Sequence, residues 1–466
     1  MADRLSSLPD KILQRILLFM PSREAASTAA LSRRWRGLWP TPARTVILDT
    51  RSYGRDCTRD AFFHGADAAL AAHGSVTSLA VHVEAESIEH GPDCIERFMS
   101  QINGGRRDRH HIAGDVLGHP SCRDVEELSV TATLPAKSSS SPKRMTARYR
   151  AFQRKQGEVE MPEGPQYTGC YKLSLAAVPS SALRVLRIDN CKDLTPAPGT
   201  ALFPCMATLW LRRCVVSLFT LRDMIAGSPK LTALRLEGVY ITTKVPSPDD
   251  QVGNYYGYGR HNGYGYRNAD EVRRTVGCGA GLGTLVLLNC SCKRGLTIEL
   301  DIPGLQSFTY QGYIDRFTLK SAPPDVQRAD LHFLGDPTWI EETNLCKTKF
   351  LKLKLGFAMG EIAIEGKKKK RQGKLLSDTL MCNLEHLEVD GQYIPGSAVA
   401  VTIANLLQCC PVLRDLRLKL NMVDHDSVRR GRAPDAMFKT ISLQRKSEQD
   451  ARKSADHFAR RRNLEV

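Results

Sequence analysis

Cysteine is the residue type of widest chemical use in this sequence, because thiolates serve as metal ligands, nucleophiles and disulfide partners. The chain has fourteen cysteines in 466 residues. Structural zinc sites need ligand pairs at short, defined spacings. Cys290 and Cys292 are separated by one residue, Cys409 and Cys410 are adjacent, and no second pair stands at zinc-finger spacing. We therefore predict no metal site and, for cysteines scattered along a chain without a secretion signal, reduced thiols.

The sequence contains no recognisable motif for catalysis or nucleotide binding. The glycine-rich stretch at residues 277–283 misses the spacing of a dinucleotide-binding loop and precedes a predicted strand, where a phosphate-binding helix should begin. There is no Walker lysine motif and no G-x-S-x-G elbow. His110 and His111 lie in an arginine-rich stretch without a neighbouring ligand. We predict a non-catalytic protein that needs no cofactor.

The elements that would position functional residues begin with a strongly apolar segment at residues 5–40. Pro9 suits the first turn of a helix, and Met20-Pro21 ends the apolar run. Four apolar residues between them repeat at helical spacing: Ile12, Leu13, Ile16 and Leu17. The pattern predicts one amphipathic helix.

A second helix is predicted to follow directly. Ser22 is placed to cap it, and its alanine-rich start through Ala30 leads into Leu31, Trp35 and Leu38 on one face. A segment of about 40 residues rarely buries enough surface to fold alone. The hairpin therefore needs a surface to pack on, and the helical pattern leaves open whether this is the protein's own core or a partner.

The order LPDKIL, ILLFMPSREA and LSRRWRGLW closely resembles the F-box of plant F-box proteins, almost end to end. The resemblance implies a three-helix module that docks on a Skp-family adaptor, which joins it to a cullin-based ubiquitin ligase. Arg33 and Arg34 are interpreted as a solvated rim. The resemblance places ten residues at the adaptor or in the packing beneath it: Leu8, Pro9, Ile12, Leu13, Ile16, Leu17, Leu31, Trp35, Leu38 and Trp39.

One apolar pattern recurs beyond a strand predicted at residues 45–50. Its clearest copies are LRVLRIDNC from residue 183, MATLWLRRC from 206, LTALRLEGV from 231 and LGTLVLLNC from 282. They match the leucine-rich-repeat signature L-x-x-L-x-L-x-x-N/C, in which alternate strand residues are buried. A further full copy, LRDLRLKLN, begins at residue 413, and shorter copies begin at residues 76, 125, 305 and 384. The sequence predicts an α+β protein, in which a short N-terminal helical F-box is followed by an irregular α/β leucine-rich-repeat solenoid.

The same pattern assigns roles within each repeat. Cys191, Cys214 and Cys290 occupy the final N/C position, where a small buried group is expected. The residues between the buried leucines point outward, whether or not they bind anything. Possible target-binding residues on this basis are Arg184, Arg187, Arg212, Arg235, Glu237, Glu388 and Arg417.

Composition divides the chain into an F-box at residues 1–45, a leucine-rich-repeat solenoid at 46–430 and a basic tail at 431–466. The tail shows no clear strand pattern and is predicted to be partly helical. Polar and glycine-rich inserts bury too little apolar surface to offset the conformational entropy that is lost when a segment becomes ordered. Disordered inserts are predicted near residues 135–166, 245–275 and 366–374.

The formal net charge of +16 is concentrated in three segments. Residues 135–157 hold seven Lys or Arg and no acid, residues 367–374 hold six and none, and residues 429–466 hold eleven against five acids. The rest of the chain is close to neutral, which disfavours a basic body that grips nucleic acid.

The sequence start lacks an apolar signal core, and no run approaches the roughly 18 apolar residues of a membrane span. We predict an intracellular protein of the nucleus, the cytoplasm or both, without a membrane partner. One basic run resembles a nuclear localisation signal and equally suits a solvated loop. It consists of Lys367, Lys368, Lys369, Lys370 and Arg371.

The resemblance implies the substrate-recognition subunit of an SCF-type E3 ubiquitin ligase. Its F-box would bind a Skp-family adaptor and through it a cullin, while the repeats hold an unknown target protein for ubiquitination. Tethering of this kind acts by raising effective concentration. Two alternatives stay open: a non-ligase leucine-rich-repeat interaction scaffold and, with less support, an RNA- or chromatin-associated basic protein.

Overall fold

The described part of the chain falls into two compact units. The first comprises Met1–Ala269 with Ser291–Arg294, and the second comprises Asp270–Cys290 with Gly295–Val466. The structure, a computed structural model, describes residues 7–39, 44–53, 59–84, 116–133, 171–175, 178, 181–195, 203–243, 272–292, 296–312, 317–320, 326–333, 347–358, 383–393, 407, 410–422 and 438–444.

Helices are concentrated near the N-terminus. The α-helices in the described residues are α1 Asp10–Leu17, α2 Ser22–Ser27, α3 Arg33–Arg36, α4 Arg59–His73 and α5 Leu218–Ala226. Short 3₁₀ turns lie at Thr28–Ala30, Thr50–Tyr53 and Pro120–Cys122. No helix among the described residues is long and apolar enough to cross a bilayer.

The predicted second helix differs from the observed one in two respects. Ser22 is the first residue of α2 rather than its cap, and no side chain caps this helix, so the capping assignment was wrong. The helix also does not continue to Leu38. It tightens into the 3₁₀ turn, and the extended backbone of Ser32 separates that turn from α3.

Parallel strands form the rest of both units. Between residues 45 and 242 the strands are β1 Thr45–Asp49, β2 Ser78–Glu84, β3 Glu127–Thr133, β4 Tyr171–Ser174, β5 Val185–Asp189, β6 Cys191–Thr195, β7 Thr208–Arg212, β8 Val215–Ser217, β9 Ala233–Glu237 and β10 Tyr240–Thr242. Between residues 272 and 444 they are β11 Val272–Gly277, β12 Thr284–Leu288, β13 Ser291–Cys292, β14 Leu296–Asp301, β15 Ser307–Gly312, β16 Phe317–Leu319, β17 Arg328–Phe333, β18 Phe350–Ala358, β19 His386–Tyr393, β20 Asp415–Met422 and β21 Phe438–Gln444.

The first unit is built on a parallel sheet in the order β1-β2-β3-β5-β7-β9, which follows the chain. Leu128, Leu186, Leu209 and Leu234 occupy matched positions on four neighbouring strands, and all four are buried. The strand and the alternate burial predicted from each leucine-rich copy are confirmed here. Shorter parallel sheets, β8-β10-β13 and β4-β6, accompany the main one.

A left-handed residue ends each of three successive strands in this unit. Asn190, Arg213 and Gly238 have φ of 61°, 49° and 58° and directly follow β5, β7 and β9. Their backbones stay bonded across the turn, since the Asn190 N–H donates to the Arg212 carbonyl at 2.8 Å and the Arg213 N–H to the Glu237 carbonyl at 2.7 Å. The corners after β5, β7 and β9 lead the chain into β6, β8 and β10, respectively.

The residue after each corner is small and buried, as the N/C position of the repeat predicts. Cys191 and Cys214 have no exposed surface, so the prediction is confirmed for both. Cys290, in the corresponding position after β12, is only half-buried. None of the cysteines in the described part of the chain takes part in a disulfide.

The second unit contains a sheet in the order β12-β15-β17-β18-β19-β20-β21 and a smaller one, β11-β14-β16. All of these pairings are parallel except that of β20 with β21. One sequence prediction was wrong here, because strand β21 lies inside the tail for which no strand was predicted. Strand β11 begins at the C-terminal edge of the insert predicted near 245–275, and that insert stays a prediction.

Strands β17 and β18 were missed by the sequence analysis because their repeats lack the full set of leucines. In β17 the spacing of three and two is kept by Val326, Ala329 and Leu331. Before and within β18 it is kept by Thr348 and Leu351, both buried. A search for the spacing alone, with any small or apolar residue allowed, would have found both strands.

The remaining organisational predictions are not tested. Residues 135–166, 245–271 and 366–374 lie outside the described residues, as does most of the tail. The solenoid shape and the domain limits at residues 45 and 430 stay predictions.

The left-handed corner at Asn190 predicts how substitutions at this position change the stability of the fold. Its Nδ2 donates to the Ala132 carbonyl at 2.8 Å, and its φ is positive. Asn190→Ala loses the hydrogen bond and keeps the cost of about 1–2 kcal/mol that a Cβ pays in this conformation. Asn190→Gly loses the hydrogen bond without that steric cost. We expect the alanine variant to have the lower urea midpoint, and equal midpoints would contradict this account.

Candidate functional site

The N-terminal helices enclose a small apolar core of their own. Leu13 and Leu17 of α1, Ala25 of α2, Trp35 of α3 and Leu38 are buried in one cluster. Leu8, Met20 and Trp39 are partly buried around it. The core explains why this short segment, which has few residues per helix, holds a defined shape.

A second set of apolar side chains in the same segment faces outward. The described residues include eight exposed large hydrophobic side chains, and half of them lie in these helices and turns. Their exposed fractions are 44% for Ile12, 38% for Ile16, 78% for Phe19 and 65% for Leu31. Exposed apolar clusters of this kind mark surfaces that bind another protein or a membrane.

Helix α1 therefore carries two adjacent stripes with different roles. Leu13 and Leu17 are four residues apart and face the core, while Ile12 and Ile16 are four residues apart and face solvent. Helical spacing shows that all four side chains share one broad side of the helix. It does not show which stripe the module itself covers.

The ten predicted adaptor-binding residues divide into buried, half-buried and exposed groups. Four are buried inside the module and act through its packing: Leu13, Leu17, Trp35 and Leu38. Leu8 and Trp39 are half-buried. Four are exposed and available to a partner: Pro9, Ile12, Ile16 and Leu31.

Phe19 is the exposed residue that the sequence analysis did not select. It lies just beyond the C-terminus of α1, three residues after Ile16 and seven after Ile12. Those intervals continue the outward stripe. Continuing the helical count from Ile12 and Ile16 up to the predicted end at Met20-Pro21 would have found it.

Arg34 is exposed, as the rim interpretation requires, and it also makes specific polar contacts. Its guanidinium bonds the Asp10 carboxylate, with Nη2–Oδ1 at 2.6 Å and Nε–Oδ1 at 2.7 Å, and also donates to the Leu8 carbonyl. These bonds join α3 to the start of α1. Arg33 is exposed, as the rim interpretation requires.

The helical module is attached to the first strand of the first unit by a part-buried hydrogen bond. The Ser22 hydroxyl, at the start of α2, accepts from the Ile47 N–H at 3.0 Å. Near the surface the Ser52 hydroxyl donates to Glu24 Oε1 at 2.9 Å. The module therefore contacts β1 and the turn after it through polar groups on α2.

Asp49, the last residue of β1, is a buried carboxylate with an arginine partner. Its Oδ2 lies 2.6 Å from Nη2 of Arg51, whose backbone N–H also donates to Oδ1 at 2.9 Å. Burial alone would raise the pKa of Asp49, but hydrogen bonds from the Arg51 side chain and backbone outweigh it. The net result is a lowered pKa.

The buried thiols do not have the properties of nucleophiles. Burial raises the pKa of Cys122 to about 11, that of Cys214 to about 12 and that of Cys278 to about 11, so these cysteines are protonated at neutral pH. Within the described ranges no three His, Cys, Asp or Glu side chains come together as a metal site.

The residues predicted to face a target lie in strands or directly beside them. Five have exposed side chains: Arg184, Arg187, Arg212, Arg235 and Arg417. Glu237 and Glu388 are half-buried and ion-paired. Glu388 Oε1 lies 2.9 Å from Lys352 Nζ, and this hydrogen bond is the main cause of the raised pKa of Lys352. The basic run at residues 367–371 lies outside the described residues.

Comparison with known proteins identifies the helical module. Residues 5–46 match the F-box domain family. This segment is an F-box domain. The core, the exposed stripe and the Ser22 hydrogen bond described above all belong to it or to its junction with β1.

Relatives of the F-box domain occur in plant proteins. The meiotic F-box protein MOF of rice is 51% identical over 51 residues, which cover 11% of this chain and 10% of that protein. Two F-box/FBD/LRR-repeat proteins of Arabidopsis thaliana, one of them named as putative, are 48% identical over 50 residues and 36% identical over 86 residues. These matches cover 11% and 18% of this chain, and 11% and 20% of those proteins. The similarity therefore spans a tenth to a fifth of each relative.

The Ser22 hydrogen bond predicts a stability effect at the junction of the F-box domain with β1. Ser22→Ala leaves the part-buried Ile47 N–H without its acceptor, which costs about 1 kcal/mol. Ser27→Ala is the matched control, because Ser27 is exposed and its hydroxyl bonds only the Glu24 carbonyl within the helix. We expect the melting temperature to be lower for Ser22→Ala than for the parent, and to be unchanged for Ser27→Ala. Equal melting of the two variants would contradict the buried role of Ser22.

Asp49 predicts a defined pH dependence. Its pKa is lower in the folded than in the unfolded state, so its ionised form stabilises the fold above the unfolded value of about 3.9. That stabilisation is lost as the pH falls through the folded pKa. We expect Asp49→Asn to be less stable than the parent at pH 7, with a difference that shrinks below about pH 4. A difference in urea midpoint that is independent of pH would count against this assignment.

Proposed function

We propose that this chain is the substrate-recognition subunit of an SCF-type ubiquitin ligase. The observation that carries the proposal is the outward apolar stripe of the F-box domain. Ile12, Ile16, Phe19 and Leu31 stay exposed although the domain encloses an apolar core of its own. A Skp-family adaptor would cover this stripe and join the chain to a cullin.

The strands after the F-box domain would provide the surface for a target protein. The two units present parallel strands whose alternate side chains are polar and exposed, including Arg187 and Arg235 in the first unit and Arg417 in the second. Plant relatives of the F-box domain include proteins named for LRR repeats. Recognition through such strands therefore suits this class of protein.

The proposed mechanism requires no bond chemistry from this chain. By holding a target close to a ubiquitin-conjugating enzyme recruited through the cullin, the complex would raise the effective concentration of target lysines. The raised pKa values of Cys122, Cys214 and Cys278 are consistent with a role that uses no thiolate.

Adaptor binding can be tested with a variant that changes only the outward stripe. Ile12→Ser with Ile16→Ser removes two half-exposed apolar side chains and leaves the buried Leu13 and Leu17 in place. If each isoleucine contributes about 1 kcal/mol on burial against the adaptor, affinity should fall about thirtyfold. Phe219→Ser, at an exposed apolar residue on α5, is the control.

The measurement is co-purification with a plant Skp-family adaptor, followed by titration of the purified chains. We expect the parent and Phe219→Ser to form a stoichiometric complex, and the double variant to bind weakly with unchanged thermal melting. Equal adaptor affinity of all three chains would show that the outward stripe is not the docking surface. A folded parent that binds no adaptor would exclude the ligase role.

A further inference from the structure

The outward side of β5, β7 and β9 in the first unit carries arginines around a single tryptophan. Register places Arg187, Trp210 and Arg235 in one row across the three strands, with Arg212 two residues further along β7. We call these four residues the arginine face. Its arginine side chains are 45%, 49% and 45% exposed at Arg187, Arg212 and Arg235.

The carboxylates near the arginine face engage Arg187 and Arg212 only loosely, whereas Arg235 Nε donates a close hydrogen bond to Glu237 Oε1. Arg187 Nη1 lies 3.8 Å from Glu127 Oε2, and Arg212 Nε lies 4.0 Å from Glu237 Oε2. Glu237 is also the partner of Arg235, so one carboxylate serves two arginines. A guanidinium has five N–H donors and a carboxylate about four acceptor positions, so Glu127 and Glu237 cannot satisfy all the donors of the three arginines.

Arg213, the residue directly after β7, forms a close bidentate ion pair and so contrasts with Arg187 and Arg212. Its Nε and Nη2 donate to the two oxygens of Asp189 at 2.9 and 2.6 Å. This bidentate pair holds the left-handed corner and leaves its carboxylate saturated. The open geometry of the arginine face is therefore a local property of those residues.

Trp210 adds an unsatisfied donor at the centre of the face. Its indole nitrogen is inaccessible to solvent and has no acceptor within the described part of the chain. The guanidinium carbon of Arg235 lies 4.8 Å from the ring centre and covers it. Buried indole N–H groups normally find a partner. A ligand carboxylate that draws Arg235 off the ring would uncover the indole N–H and could accept from it.

We propose that the arginine face binds an extended acidic segment of the target protein. This inference rests on the proposed function, because it assigns the chemistry of the target to be recognised. Neighbouring strands lie about 4.8 Å apart, which places Arg187 and Arg235 about 10 Å apart across β7. Same-side residues of an extended peptide recur about every 7 Å, and flexible arginine side chains take up the difference. Acidic residues at alternate positions would therefore meet successive arginines.

A nucleic acid fits this face less well than an acidic peptide. Phosphate backbones carry closely spaced charges and are bound by many unopposed cations. The arginine face has Glu127 and Glu237 at its margins, and their carboxylates would repel a continuous phosphate chain. A few spaced carboxylates can meet the arginines without approaching those glutamates.

The test measures fluorescence anisotropy of a short labelled peptide in which Glu alternates with Ser, titrated with the full chain. The comparison peptide has Gln in place of Glu. We expect the Glu peptide to bind and the Arg187→Gln, Arg235→Gln double variant to bind it at least about tenfold more weakly, because charge-assisted bonds are lost. Arg222→Gln with Lys230→Gln removes the same charge elsewhere in this unit and should bind like the parent.

A further variant predicts a change in the opposite direction. Glu237→Gln removes the carboxylate shared by Arg212 and Arg235, so it should tighten binding of the Glu peptide several-fold. This gain cannot result from misfolding. Equal binding of the Glu and Gln peptides, an equal loss in the control double variant, or tighter binding of an oligouridylate of equal charge would each overturn the proposal.

The outcome is separable from that of the adaptor experiment. Peptide binding is measured on the chain itself and does not need the adaptor, while the arginine variants leave the outward stripe of the F-box domain unchanged. An adaptor complex without peptide binding would reject the acidic-target proposal alone. If the chain binds the peptide but binds no adaptor, the acidic-target proposal stands and the ligase role is rejected.

Discussion

The structure depends on neighbouring parallel strands that present buried side chains at matched positions. Leu186 is covered by Leu128 on one side and Leu209 on the other, and neither neighbour could be shielded without the next strand. Each such residue contributes about 1.5–3 kcal/mol only when its neighbours are in register. The left-handed corners serve this constraint in β5, β7 and β9, because they end these three strands at matched positions and keep the buried residues aligned.

The F-box domain solves the same burial problem on a smaller scale. Five apolar residues form its core, and the salt bridge between Arg34 and Asp10 holds the third helix against the first. So small a module cannot cover all of its apolar side chains. The stripe at Ile12 and Ile16 is the part that its own residues leave exposed.

The sequence predicted the strands well wherever leucines filled the repeat signature, since alternate burial follows directly from that spacing. It failed at β17 and β18, where Ala329 and Thr348 occupy leucine positions, because a search by residue type misses a pattern kept by spacing alone. It also failed at β21, which pairs antiparallel with β20 in a segment judged by its charge.

For the candidate site, the helical period identified the apolar side of α1 but could not separate its two stripes. The direction in which each stripe points is set by tertiary contacts with Trp35 and Ala25, which spacing within one helix does not contain. The same limit applies to Arg34, whose partner Asp10 lies twenty-four residues away in the chain.

The hydrogen bond from the Ile47 N–H to Ser22 has a consequence for how the F-box domain can be cut from the chain. The boundary predicted at residue 45 would remove the donor and leave the Ser22 hydroxyl, along with the face of α2 that lies against β1, open to water. A fragment for expression should therefore retain β1. Strand β1 pairs with β2, so such a fragment should extend at least to residue 84.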